Sequence, residues 1–145
     1  MRAKEYLSQA LWLDQRINTK LEQLATLRSL AMKVTANQTA EKVSGGKDVK
    51  SPMANTIAKI VDLEREINGD IDRLVGLKAE IQETISQVSD VISQILLELR
   101  YINGKTWDEI ANVLGFARSW VLRLHGVALK EIEDKICLVD ESRLK

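Results

Sequence analysis

Asn103-Gly104-Lys105-Thr106-Trp107-Asp108-Glu109-Ile110-Ala111, followed by Asn112-Val113-Leu114-Gly115-Phe116-Ala117, is the stretch that decides how the fold is read. Asn103-Gly104-Lys105 is a helix stop, because glycine takes the left-handed backbone conformation at low cost. Thr106 and Glu109 stand at capping-box spacing, the threonine able to accept from a free backbone N–H and the glutamate able to fold back. A short helix then carries Ile110, Ala111 and Leu114 on one face and ends at Gly115. Phe116 and Ala117 complete a tight turn, and a further helix is expected from about Arg118 to Ile136. Helix, glycine-containing turn, helix is the helix-turn-helix pattern. The small side chain of Ala111 lets the second helix approach closely.

The final helix has two unlike faces. Val121, Leu124, Ala128 and Ile132 recur at helical spacing and are expected to pack inward. The opposite face shows Ser119, Leu122, Arg123, Gly126 and Lys130, with Arg118 and Trp120 flanking its start. Across residues 117–130 the charges are Arg118, Arg123 and Lys130, and no acid interrupts them. A helix lying in the DNA major groove needs cations for phosphates and short or polar groups near its N-terminus for base edges. The candidate DNA-binding residues are therefore Arg118, Ser119, Trp120, Leu122, Arg123 and Lys130. The whole chain balances 21 basic against 21 acidic residues, whereas nucleic-acid binders commonly carry a basic excess. The local distribution, not the total, points to double-stranded DNA.

Upstream of this motif, Val91 to Ile102 is apolar almost all round, as in a helix buried in a small core; Ser89 is placed to cap it. Further back, Tyr6, Ala10, Leu13, Ile17, Leu21, Leu24, Leu27, Ala31 and Val34 form one stripe of a helix from about Ala3 to Val34. Thr35 to Lys50, with Ser44, Gly45, Gly46 and Asp48, reads as a loop and as the most mobile segment. Ser51-Pro52 restarts the chain as cap and first helical residue. A second stripe follows in Ile60, Leu63, Ile67, Ile71, Leu74, Leu77, Ile81, Ile85 and Val88. Residues 2–34 carry a net charge of +3 and residues 55–87 a net charge of −3. Opposite arms attract, and each is discouraged from pairing with its own copy. The expected fold class is all-α: a long, coiled-coil-like antiparallel helical hairpin over residues 1–88, then a helix-turn-helix module over residues 89–145. Trp12 and Leu30 lie off the main stripe, which leaves apolar surface for a homodimer through the hairpin.

The remaining composition excludes more than it suggests. The chain has 145 residues, one proline (Pro52), one cysteine (Cys137) and one histidine (His125), so neither a disulfide framework nor a Cys/His zinc site can be built within it. No apolar run approaches a membrane span and no signal-like segment opens the chain, so a reducing cytoplasm is expected, with no membrane partner. There is no phosphate-binding glycine loop, nucleophile elbow or metal-ligand spacing. No cofactor is expected, and the chain does not read as an enzyme. His125 reads as a structural histidine beside the buried face and Trp107 as a core residue. Trp120 and Trp12 read as contact residues for another surface.

The stretch from Leu97 through Ala111, Leu114-Gly115 and Val121, and on to Arg123-Leu124-His125-Gly126-Val127-Ala128-Leu129, resembles the fourth region of bacterial sigma factors, the helix-turn-helix that reads the upstream promoter element. The whole chain, with Leu11-Trp12-Leu13-Asp14 in its first helix, looks like a phage and prophage family of Gram-positive bacteria that joins such a helix to a sigma-like C-terminal module. The resemblance implies transcriptional regulation of phage genes, of late or packaging genes among them, and RNA polymerase as a partner. Ala117, Leu122 and Val127 depart from it, standing where sigma-like modules carry serine or threonine, a polar residue and a basic residue. The alternatives to a DNA-binding regulator are an accessory factor working through polymerase contacts, and a helical adaptor protein that does not bind DNA.

Overall fold

A computed structural model describes residues 2–40 and 52–144. The described residues are all-α, with no strand: α1 (Ala3–Ala40), α2 (Pro52–Ser86), α3 (Val91–Leu97), α4 (Trp107–Leu114) and α5 (Arg118–Leu144). α3 runs directly into a π-helical turn, Glu98–Ile102. α1 does not stop at Val34. It continues to Ala40, and Thr35 satisfies its hydroxyl on the helix itself by donating to the Ala31 carbonyl at 2.9 Å. Residues 35–40 are therefore helix and not loop. The rest of the expected loop, the expected Ser51 cap and the side chain of Cys137 lie outside the described residues.

The chain divides into two compact units, Met1–Leu13 with Leu74–Lys145, and Asp14–Arg73. The first, here called the core unit, takes in the start of α1 and the end of α2, so the partition does not follow the change of pattern at Val88. The physical reason is burial. Leu7 and Ala10 of α1, Ile81 and Ile85 of α2, and Val88 just beyond it are as fully enclosed as Leu96, Leu97, Tyr101, Ile110, Val121 and Ile132 of the C-terminal helices. Side chains of this size contribute roughly 1.5–3 kcal/mol each when withdrawn from water.

Local chemistry explains the element ends in this unit. Asp90 rather than Ser89 caps α3: its carboxylate accepts from the Ser93 N–H and hydroxyl, each at 3.0 Å. The Ser89 N–H donates instead to Glu131 on α5 at 2.9 Å. After the π turn, Gly104 (φ 69°) lets the chain reverse, and the Lys105 N–H donates to the Leu99 carbonyl at 2.9 Å. Thr106 caps α4 by accepting from the Glu109 N–H at 3.2 Å. Gly115 ends α4 in the left-handed region (φ 73°), with its N–H and that of Phe116 both directed to the Ala111 carbonyl. No non-glycine described residue has positive φ, so both glycines stand where a side chain would be strained.

The second unit, here called the arm unit, is two helical segments. Lys20 pairs with Asp70 at 2.6 Å, Arg28 with Glu64 at 3.0 Å, and Thr35 reaches Met53 at 4.0 Å. Partners fall along α2 as they rise along α1, so the two segments run antiparallel within this unit. Ile17, Leu24 and Ile67 are its buried apolar residues. Leu21 and Ile71, expected to face inward with them, are 44% and 41% exposed. Asp70 is buried but doubly paired. The bonds from Lys20, then from Arg73 at 2.6 Å, hold its carboxyl below the usual carboxylate range.

Candidate nucleic-acid interface

The inner face of α5 explains how its outer face is held. Val121, Ala128 and Ile132 are fully buried, Leu124 is half-buried, and His125 is 7% exposed among them. His125 Nε2 lies 2.6 Å from the Tyr101 hydroxyl. The two rings stack at 5.7 Å, and Trp107 meets the imidazole edge-on at 4.5 Å. The Arg100 guanidinium lies over the Trp107 indole, 4.4 Å from the ring centre, an arrangement that binds a cation to an aromatic face. Burial, then the nearby charges of Lys4 and Arg100, push the His125 pKa down to about 4, and burial pushes Tyr101 up to about 12. Both groups are neutral at pH 7, so the hydrogen bond joins two uncharged partners. The π turn matters here: it carries both Arg100 and Tyr101, and so aims two consecutive residues at the Trp107–His125 pair.

With that interior fixed, all six residues expected to contact DNA are exposed: Arg118, Ser119, Trp120, Leu122, Arg123 and Lys130. At 3.6 residues per turn, Ser119, Arg123 and Lys130 fall within about 40° of one another, opposite the buried stripe. Leu122 and Trp120 lie on either flank of that line. Arg118 opens the helix beside the turn. Val127, exposed at 66%, lies near the cationic line and adds no charge to it. Ala117 accepts from the Trp120 and Val121 N–H groups through its carbonyl, at 3.0 and 3.1 Å, but has no side-chain acceptor for the first helical N–H groups.

One residue of this face gives no sign of itself in the sequence. Asp108, in the first turn of α4, lies 3.5 Å from the Arg118 guanidinium. The run 117–130 contains no acid, yet the turn folds one back onto its first cation. Both groups are exposed, so the pair is weak and screened by salt. Glu109, expected to close the capping box, has its carboxylate 3.9 Å from the Lys105 ammonium instead. Among the described residues no group of three or more acidic, histidine or cysteine side chains could hold a metal ion, and no helix is long and apolar enough to cross a membrane.

The fold and the site define an all-helical protein whose last two helices, joined by a three-residue turn, present a small cationic face. A family model covers residues 33–133, and the chain belongs to that family, described as a protein of unknown function (DUF1492). No curated protein and no solved structure matches the chain.

Proposed function

We propose that the protein is a DNA-binding transcriptional regulator, of phage or prophage genes, and that α5 is its recognition helix. The observation that carries this reading is the arrangement of α5. Its inner side is locked by Val121, His125, Ala128 and Ile132, while Ser119, Arg123 and Lys130 stand exposed in one line from its first turn. A recognition helix needs a rigid back and a polar, cationic front near its N-terminus. The N–H groups at the start of α5, uncapped by Ala117, add a local preference for phosphate. Arg118 and Lys130 serve phosphates; Ser119 and Arg123 are placed for base edges, with Leu122 and Trp120 for thymine methyl groups. The chemistry required is binding and not catalysis, and no cofactor enters it.

A second reading is favoured by one observation. Only three cations line the face, and Asp108 partly neutralises one of them. Neutralising few phosphates leaves DNA affinity weak at physiological salt. An accessory factor that reaches DNA while docked on RNA polymerase would need no more, and Trp120, 47% exposed, is a suitable docking residue. A gel shift with duplexes from upstream of the neighbouring genes, at low and at physiological salt, separates the readings. A retarded complex that survives excess unrelated DNA supports the regulator. Retardation only when polymerase is added supports the accessory factor. No complex in either case contradicts both.

A further inference from the structure

The arm unit has one ionic side and one apolar side. Arg28 and Glu64, 59% and 43% exposed, mark the apolar side with their ion pair. On α1, Leu21 and Ala25 stand seven and three residues before Arg28, and Met32 four after it. On α2, Ile57 and Val61 stand seven and three residues before Glu64, and Asn68 and Ile71 four and seven after it. Residues at offsets of three, four and seven share a helix face. The Arg28–Glu64 contact therefore sets two equal stripes side by side. Among the described residues nothing covers them: Leu21 is 44% exposed, Met32 74%, Ile57 49%, Val61 39% and Ile71 41%. The Lys20–Asp70–Arg73 ion cluster lies on the other flank. Leu30, two residues from Arg28, is off the apolar side.

We propose that this side is an interface between two copies of the chain, which pack as an antiparallel four-helix bundle with α1 of one protomer across α2 of its partner. The three-and-four spacing is that of a helix-bundle seam, and the charges select both the occupant and the orientation. In the arm unit α1 carries Arg16, Lys20, Arg28 and Lys33 against Asp14 and Glu22, a net +2. α2 carries Lys59, Arg65 and Arg73 against Asp62, Glu64, Glu66, Asp70 and Asp72, a net −2. A two-fold axis along the helices sets each cationic helix across from an anionic one. An axis across them stacks like on like.

The first arrangement keeps every level of the hairpin. Arg28 of each protomer then meets Glu64 of the other, and four charges alternate in sign around a square. Lys20–Asp70 and Arg28–Glu64 fix the levels within one chain, so Leu21 meets Ile71 of the partner subunit, and Met32 meets Ile57 and Val61 of the partner subunit. The face is its own complement in shape and in charge, as a two-fold interface must be. The proposal keeps the expected hairpin dimer but moves its surface from Trp12 and Leu30 to this side, and it is independent of DNA binding.

Sedimentation velocity on the full chain, from micromolar to about a hundred micromolar, tests it. The unsubstituted protein is expected to sediment as a dimer. Met32→Glu with Val61→Glu is expected to give a monomer of unchanged helicity by circular dichroism, since both positions are exposed. Arg28→Glu alone places four acids in the square and dissociates the dimer. Arg28→Glu with Glu64→Arg restores the alternation and the dimer. A monomeric unsubstituted protein throughout the range, or a dimer indifferent to Met32→Glu with Val61→Glu, overturns the proposal. Failure of the charge exchange to restore association overturns the bundle arrangement.

Discussion

The two units of this chain are built from the same kinds of residue and end in opposite conditions. The ten largest fully buried side chains, from Tyr101 and Leu7 to Val88 and Val121, all belong to the core unit. The arm unit buries Ile17, Leu24 and Ile67 and leaves five large apolar side chains of one side in water. Two helices can cover only one stripe of each other, whereas five helical segments in the core unit surround a common interior. The proposed pairing of two chains would cover the exposed side of the arm unit. In the core unit the enclosed side chains of α5 back its exposed outer face.

The contrast between the units predicts unequal costs for the same change. Ile110→Ala or Ile132→Ala, in the core unit, should cost about 2–5 kcal/mol, the range for emptying a packed site. Ile71→Ala, in the arm unit, should cost the monomer well under about 1.5 kcal/mol, because its side chain already meets water. Urea titrations on the three variants, each in the monomeric Met32→Glu, Val61→Glu background, measure this, and equal losses would erase the distinction between the units.

Acid should separate the units next. Unfolded, His125 takes up a proton near its ordinary pKa of 6.5; folded, it resists until about pH 4. Between these values the unfolded state binds more protons, so stability is full above pH 6.5 and declines as pH falls toward about 4. The loss is at most about 3 kcal/mol from the size of the shift. His125→Gln should be less stable at pH 7 and flatter across this window. Asp70 acts lower: its depressed carboxyl holds stability above the usual carboxylate pKa and gives it up only as pH falls below that. Unfolding free energies from pH 7 to pH 3 check both. A decline between pH 6.5 and 4 that persists in His125→Gln would show that the histidine is not its source.

The smallest effect expected is at Asp108. Removing its charge with Asp108→Asn frees Arg118 and should raise DNA affinity by a few-fold at low salt, an advantage that fades as salt screens the exposed pair. Weaker binding by this variant in anisotropy titrations would mean that Asp108 orients Arg118 for DNA and does not compete for it.

Much of the core unit is legible in the sequence because its signals are local. Thr106 caps α4, Gly115 ends it, and the spacing of Val121, Ala128 and Ile132 gives the buried side of α5; each depends on neighbours within a turn or two. Leu21 and Ile71 mislead for the converse reason. They sit seven residues from Arg28 and Glu64, and beside the buried stripe, so one periodicity runs together a buried line and the exposed line next to it. The π turn has no sequence signature of its own: Glu98–Ile102 mixes charged and apolar residues as the helix before it could, and the extra residue shows only in where Tyr101 points. Ser89 and Asp90 are both good caps, and Glu131, a residue distant in sequence, claims the Ser89 N–H. Asp108 reaches Arg118 only once the turn has folded, so no spacing along the chain announces it.

The most direct test of DNA recognition by α5 is the salt dependence of duplex binding by the unsubstituted protein and by a variant that combines Arg118→Ala, Arg123→Ala and Lys130→Ala. Recognition through this face predicts weaker binding by the triple variant, and a log–log salt slope shallower by about one unit for each phosphate no longer neutralised. Its unfolding curve should be unchanged, because all three side chains are exposed. An affinity and slope equal to those of the unsubstituted protein would contradict recognition by α5 and place any DNA binding elsewhere on the chain.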